Sequence, residues 1–218
     1  MRPAAVDTGS AWEILRATPL VAEGGFTRTV LLSEGARAAL AADALRRLPL
    51  AETARLEQSP DEDRKRGNPA RFMESAPGGE GLRAFYRAPA VRGLLERLTG
   101  LPWTCSGDSG SWSYYRRPGH HLDLHRDIDA CDLAVITCVH ERGAPQGGLS
   151  GALCLWPERA DDTLAAIRAD PAPGRVVVRL SEGESLVLLG GLIPHRLEPL
   201  AAGHVRVVAP LCYRVAQM

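Results

Sequence analysis

The stretch GHHLDLHRDID, Gly119 to Asp129, holds three histidines and three aspartates in eleven residues. Imidazole nitrogen and carboxylate oxygen are ligands of divalent first-row metals. On an extended backbone side chains alternate between faces, so His121, Asp123, His125 and Asp127 would share one face. An ordinary core strand would carry Val, Ile or Leu at those places. Two His-x-Asp pairs are present, His121 with Asp123 and His125 with Asp127, and the spacing alone does not choose between them.

A further imidazole, His195, lies in GGLIPHRLEPLAAGHVRVV, just beyond Gly190 and Gly191. Arg206 follows eleven residues later, inside the apolar run VRVVAPLCYRV. An unpaired buried charge is costly, and no acid lies in that run, so the guanidinium is expected to face an anion. Two histidines and one carboxylate from different strands form the facial ligand set of non-haem Fe(II) oxygenases, which leaves coordination positions open. A buried arginine pairs bidentately with a carboxylate. Arg214 shares parity with Arg206 and is a second candidate anion binder.

The elements that must position these residues differ between the two halves of the chain. Ser33 is placed to cap a helix over EGARAALAADALRRL, with Pro49 as its stop. APAVRGLLERLTG predicts another helix, with Pro89 near its start, Gly100 just past its end and an apolar stripe of Leu94, Leu95 and Leu98. Residues 52–81 between them are polar and rich in Gly and Pro, and read as a surface loop or a mobile lid. From about Trp103 the texture changes to short apolar runs separated by Gly and Pro: SWSYY, LAVITCV, GALCLW, RVVVRL, ESLVLLG and VRVVAPLCYRV. These predict an antiparallel sandwich or barrel, interrupted by a short helix in PERADDTLAAIRADPAPG. The expected organisation is one domain over 1–218, with residues 1–102 a mainly helical N-terminal support and possible lid, and 103–218 the β-rich catalytic core.

Composition narrows the function classes. Lys plus Arg equals Asp plus Glu at 26 each, which argues against a general electrostatic nucleic-acid or membrane partner. No apolar run reaches signal or membrane-spanning length, so a cytoplasmic protein is expected. The five cysteines are odd in number and include no CxxC pair; reduced, mostly buried thiols are the expectation.

Taken in order, YYRRPGHHLDLHRD, GGLSGALCLWP and HRLEPLAAGHVR resemble the iron- and 2-oxoglutarate-dependent dioxygenases, nearest to the prolyl-hydroxylase-like branch. The likeness covers roughly residues 111–214. It implies an α+β fold with a double-stranded β-helix (jelly-roll, cupin-like) core and N-terminal supporting helices. The family register, with Gly119 six residues before the histidine, selects His125 and Asp127 with His195 as the Fe(II) ligands. His121 and Asp123 are left to orient those ligands or to touch substrate. The resemblance further implies that Arg206 binds the 5-carboxylate of 2-oxoglutarate, with Tyr115 as a hydrogen-bond donor to it. The implied reaction consumes O2, yields succinate and CO2, and hydroxylates an unactivated C–H bond of a small molecule such as an amino acid or a biosynthetic intermediate. Halogenases of the family replace the ligating carboxylate with a small residue; Asp127 retains it, which favours hydroxylation.

Other residues carry plainer expectations. Thr137 is a β-branched strand residue that could offer a hydroxyl to the same carboxylate, and Trp156 is packing. Arg116, Arg117 and Arg142 are candidates to attract an acidic substrate, and His120, His140 and His204 are expected on the surface. The competing class is a non-catalytic β-barrel binding or sensor module with a remnant metal site. A zinc hydrolase using His121 and His125 lacks an HExxH helix and further ligands.

Overall fold

The apolar runs of the second half form strands, and the first half adds more. The computed structural model describes residues 13–57 and 69–216. Twelve strands follow in chain order: β1 (Phe26–Val30), β2 (Glu52–Leu56), β3 (Arg71–Pro77), β4 (Trp103–Cys105), β5 (Ser111–Tyr115), β6 (His121–His125), β7 (Leu133–Arg142), β8 (Leu153–Leu155), β9 (Val176–Val178), β10 (Glu184–Leu188), β11 (His195–Leu197) and β12 (Val205–Val215). They pair antiparallel in the order β1-β10-β7-β12-β5-β3-β6-β11-β8-β9, with β2 on β3 and β4 on β12. Side chains of β5, β7 and β12 share one cavity with those of β6, β8 and β11. The sheet is therefore curled so that its two halves face each other, a jelly roll with a few helices.

The two faces of the larger half follow from strand parity. On β12, Arg206, Val208, Pro210 and Cys212 line the cavity, while Val207, Ala209, Leu211 and Tyr213 are buried on the opposite face. On β5, Ser113 and Tyr115 line the cavity, and Trp112 and Tyr114 point behind it. The helices pack on that rear face. The helix Glu34–Arg47 has Ser33 as its cap, with Ser33 Oγ accepting from the Ala36 N–H at 3.3 Å. It receives two polar anchors from the sheet: Trp112 Nε1 donates to Asp43 at 3.2 Å, and the Tyr114 hydroxyl donates to the Ala44 carbonyl at 2.7 Å. Buried indole and phenol groups need such partners. The helix Pro89–Thr99 ends at Gly100 with φ 73°, a left-handed stop that glycine adopts without steric cost. The interrupting helix spans Leu164–Ala169.

Residues 52–81 differ from the expected loop. Polar as they are, they pair as the β2–β3 hairpin, and β3 then bridges β5 and β6. Only Met73, Glu74 and Ala76 of β3 are buried, so the pattern is too weak to read as a strand without its partners. Part of the stretch expected as a loop or lid, residues 58–68, lies outside the described residues. With β1, the hairpin brings three strands from the portion expected to be mainly helical into the sheet.

The thiol expectation is corrected for one pair. Cys131 and Cys212 form a disulfide, while Cys105, Cys138 and Cys154 are free. The partners stand 81 residues apart in sequence, and only the register of β12 beside the loop after β6 brings them together. No described helix is long and apolar enough to cross a membrane.

Candidate active site

His125 ends β6 and His195 begins β11, and the two stand opposite each other in the register of that antiparallel pair. Asp127 lies two residues beyond β6, where its N–H donates to the Gly190 carbonyl at 2.9 Å. Ligand atoms of His125, Asp127 and His195 all lie within 4.8 Å of one another. Asp127 Oδ1 is 3.5 Å from His125 Nε2 and 3.7 Å from His195 Nε2.

Local contacts fix which atom each ring presents. His125 Nδ1 is 2.8 Å from the Asp123 carbonyl, and His195 Nδ1 is 2.9 Å from the Ile193 carbonyl. A carbonyl only accepts, so Nδ1 carries the proton in both rings and Nε2 keeps its lone pair. Both Nε2 atoms lie beside the Asp127 carboxylate. Burial pushes the His195 pKa down to about 4, with His125 adding to the effect, so the ring is neutral near pH 7.

Two neighbours complete the cradle. Arg126, between the two first ligands, turns outward and donates to the carbonyls of Leu192, Ala160 and Asp162 at 3.1, 2.7 and 2.8 Å, which ties down the Asp127 loop. At Gly190 any Cβ would overlap Asp127 Oδ2 and crowd His195 Cε1 at 3.4 Å. The residue must be glycine for the carboxylate to sit where it does. Neutral Nε2 donors, one ionised carboxylate and a space cleared by a glycine fit a divalent ion of the Fe(II) type.

The sequence's one-face reading of the HHLDLHRD stretch is corrected by a bulge. Along β6, Leu122 pairs with Leu197 and His125 with His195, three residues against two. The extra residue reverses parity, so Leu122 and His125 line the cavity while His121 and Asp123 do not. His121 Nδ1 instead meets the Gly119 carbonyl at 2.8 Å. Asp123 accepts from the Leu124 N–H at 2.7 Å and lies 4.0 Å from Arg168 Nε.

The cavity encloses about 100 Å³, mostly apolar, with walls that include Met73, Leu122, Ile136, Leu153 and Val208. The trio sits in it together with Tyr115 and Arg206. Tyr115 pairs with Arg206 across β5 and β12. Burial pushes its pKa up to about 12, so it is a neutral donor; its hydroxyl meets the Met73 sulfur at 3.6 Å, a weak acceptor, and interacts with the Ser113 side chain. Arg206 is 1% exposed. Contrary to expectation it already has an acid partner, on the neighbouring strand: Nη1 donates to Glu141 Oε1 at 2.6 Å and to the Leu180 carbonyl at 2.9 Å. Its Nε is buried without a partner.

The other residues singled out in the sequence stand outside this cavity. Arg214 is exposed and lines no part of this cavity. Thr137 faces away and hydrogen-bonds Ser185 Oγ at 2.8 Å. Arg116 and Arg117 both pair with the buried Glu74. His120 and His204 are buried: the first packs edge-on against Phe72, the second bridges Ser150 and Glu141. Trp156 is fully buried packing and donates to the Pro171 carbonyl. Sequence reasoning missed Glu141 altogether. Its acid at the end of LAVITCVHER was a usable signal, but strand partners were needed to set it opposite Arg206.

No family model matches the sequence, and no curated protein matches it. Solved structures do. The epimerase SnoN from nogalamycin biosynthesis, a non-haem 2-oxoglutarate-dependent enzyme, superposes at TM-score 0.66 with 17% identity, over 96% of this chain and 81% of that one. A prolyl-4-hydroxylase from Pseudomonas putida gives 0.57 with 18% identity over 96% and 100%. HygX from Streptomyces hygroscopicus, solved with nickel, 2-oxoglutarate and hygromycin B, gives 0.56 with 13% identity over 95% and 87%. The chain has the fold of the iron- and 2-oxoglutarate-dependent oxygenases. The likeness read from 111–214 thus extends to the fold of nearly the whole chain, and a prolyl-4-hydroxylase is among the structures that share it. Within this fold the neighbours run hydroxylase, epimerase and carbocyclase, so the fold does not by itself specify the reaction.

Proposed function

We propose that the protein is an Fe(II)- and 2-oxoglutarate-dependent oxygenase that hydroxylates a C–H bond of a small molecule, such as an amino acid or a biosynthetic intermediate. One observation carries the reading: His125, Asp127 and His195 occupy the same small cavity as a buried arginine with an unpartnered Nε. His125, Asp127 and His195 would hold the metal. Arg206 would receive the distal carboxylate of 2-oxoglutarate, and Tyr115 would donate to it. Iron, when bound, supplies the means to reduce O2 with electrons from 2-oxoglutarate, leaving succinate and CO2.

The protein's own groups do the positioning. The backbone carbonyls of Asp123 and Ile193 keep both imidazoles in the ligating tautomer. The apolar walls exclude water from the reacting centre, which strengthens the polar contacts inside. At about 100 Å³ the cavity suits the cosubstrate, so substrate would approach from its mouth. SnoN in complex with nogalamycin RO and HygX with hygromycin B support a small-molecule substrate, while a prolyl hydroxylase from Trichoplax adhaerens with this fold is solved with a peptide fragment. We place the enzyme in the cytoplasm.

The test is substrate-stimulated succinate formation across a metabolite panel, read with product mass. A product heavier by one oxygen supports hydroxylation. A product lighter by two hydrogens, or an isomer, keeps the oxygenase and rejects the hydroxylase. No succinate from any substrate, with no binding of 2-oxoglutarate, favours the non-catalytic binding module.

A further inference from the structure

We propose that Glu141 is a positioning residue that sets how tightly the Arg206 end of the cavity takes a carboxylate. The proposal rests on the reading that Arg206 receives the distal carboxylate of 2-oxoglutarate.

Glu141 reaches Arg206 through a defect in the sheet. Along β7 and β12, Cys138 pairs with Val208, His140 with Val207 and Glu141 with Arg206. The extra residue on β7 is a bulge at Val139. Before it, Ala134 and Ile136 line the cavity; after it, parity is reversed and the acid is set opposite the arginine. Without the bulge His140, which instead pairs with Glu182 at 2.9 Å, would hold that place.

Glu141 is held from several directions. Its carboxylate takes the Arg206 Nη1 hydrogen bond at 2.6 Å, and the same Oε1 lies 3.3 Å from His204 Nε2. His204 is itself buried and braced by Ser150 Oγ at 2.8 Å. The Glu141 N–H donates to Glu182 at 2.8 Å. Close behind, a Cβ at Gly143 would overlap the Gly203 carbonyl, so the two chain segments meet without room for a side chain. This is a carboxylate built into place.

The consequence is electrostatic. A guanidinium as buried as that of Arg206 needs a counter-charge, and Glu141 supplies it before any ligand arrives. Glu141 and Leu180 engage Nη1 and Nε is buried without a partner, so a carboxylate that pairs with this guanidinium must share it with Glu141. An incoming dicarboxylate would then place a second anion on one cation. Repulsion between the two carboxylates lowers the affinity the arginine alone would give. The site thereby holds its cosubstrate loosely while keeping the arginine aligned.

The experiment is anaerobic titration of the Fe(II)-loaded protein with 2-oxoglutarate and with 2-oxobutyrate, which has the same chelating end and no distal carboxylate. Glu141→Gln keeps an oxygen for Nη1 and removes the charge. It should bind 2-oxoglutarate about tenfold more tightly, equivalent to about 1.4 kcal/mol, and 2-oxobutyrate as the wild type does. Glu141→Asp draws the carboxylate back by one methylene; it should shift the ratio the same way by less, and it serves if the Gln variant does not fold. Arg206→Ala run alongside separates the two layers of inference. If it binds 2-oxoglutarate like the wild type, the Arg206 reading fails. If it binds weakly while Glu141→Gln leaves 2-oxoglutarate affinity unchanged, lowers it, or shifts both acids equally, the Arg206 reading stands and the role of Glu141 is overturned.

Discussion

At one end of the cavity His125 and His195 each commit Nδ1 to a neighbouring carbonyl and leave Nε2 open. At the other end Arg206 commits Nη1 to Glu141 and Leu180 and leaves Nε buried without a partner. Both ends anchor one nitrogen in the protein and hold another in reserve. They differ in charge. The first end gathers neutral donors around one carboxylate and calls for a cation. The second is already a compensated pair and takes an anion only by sharing. The first end should therefore bind all-or-none, and the second should be graded.

The largest effects belong to the first end. His125→Ala, Asp127→Ala and His195→Ala should each abolish turnover and greatly weaken Fe(II) binding. Activity retained by His125→Ala but lost by His121→Ala would put the ligand pair one step up the strand, against the bulge seen here. At the second end Arg206→Ala should weaken 2-oxoglutarate by about 2–5 kcal/mol, tens to thousands-fold, on the scale of truncated buried charge pairs. Arg206→Lys should keep part of that, since the charge remains and the planar fork is lost. If Arg214→Ala weakened binding and Arg206→Ala did not, the anchor would be misplaced.

How much of each end was legible in the sequence differs for a physical reason. His125, Asp127, His195 and Arg206 stand out because core strands rarely hold such groups, and their order matched a known register. The capped helix after Ser33 and the exact spans of β5 and β12 were readable because local composition decides them. What failed depended on pairing. Two bulges, one on β6 and one on β7, reversed the side-chain parity that a regular strand would give. The first removed His121 and Asp123 from the site, and the second brought in Glu141. The β2–β3 hairpin and the Cys131–Cys212 bridge were invisible for the same reason, since each is specified by a partner distant in sequence.

Acid should distinguish the ends further. His195 is lowered from 6.5 to about 4 by burial, so the native state resists a proton that the unfolded chain accepts. That contribution is complete above about pH 6.5 and is lost as pH falls toward 4, at most about 3 kcal/mol. Urea midpoints of the metal-free protein should fall over this window more steeply for the wild type than for His195→Leu. Equal slopes would mean that the ring is not buried as a neutral group.

A smaller effect is expected at Gly190. Alanine there would push Asp127 off the ligand position, and Fe(II) affinity should drop about 10–100-fold, the size seen when groups that orient metal ligands are changed. Unchanged affinity would show that the carboxylate has room the structure does not give it.

The most direct test of a shared site is anaerobic absorption spectroscopy of the wild-type protein with Fe(II) and 2-oxoglutarate. A weak visible charge-transfer band should appear only when both are added, and it should be absent in His195→Ala at any concentration. In Arg206→Ala it should appear only at far higher 2-oxoglutarate. No band in the wild type with both present, or the same band and the same titration midpoint in Arg206→Ala, would contradict the account.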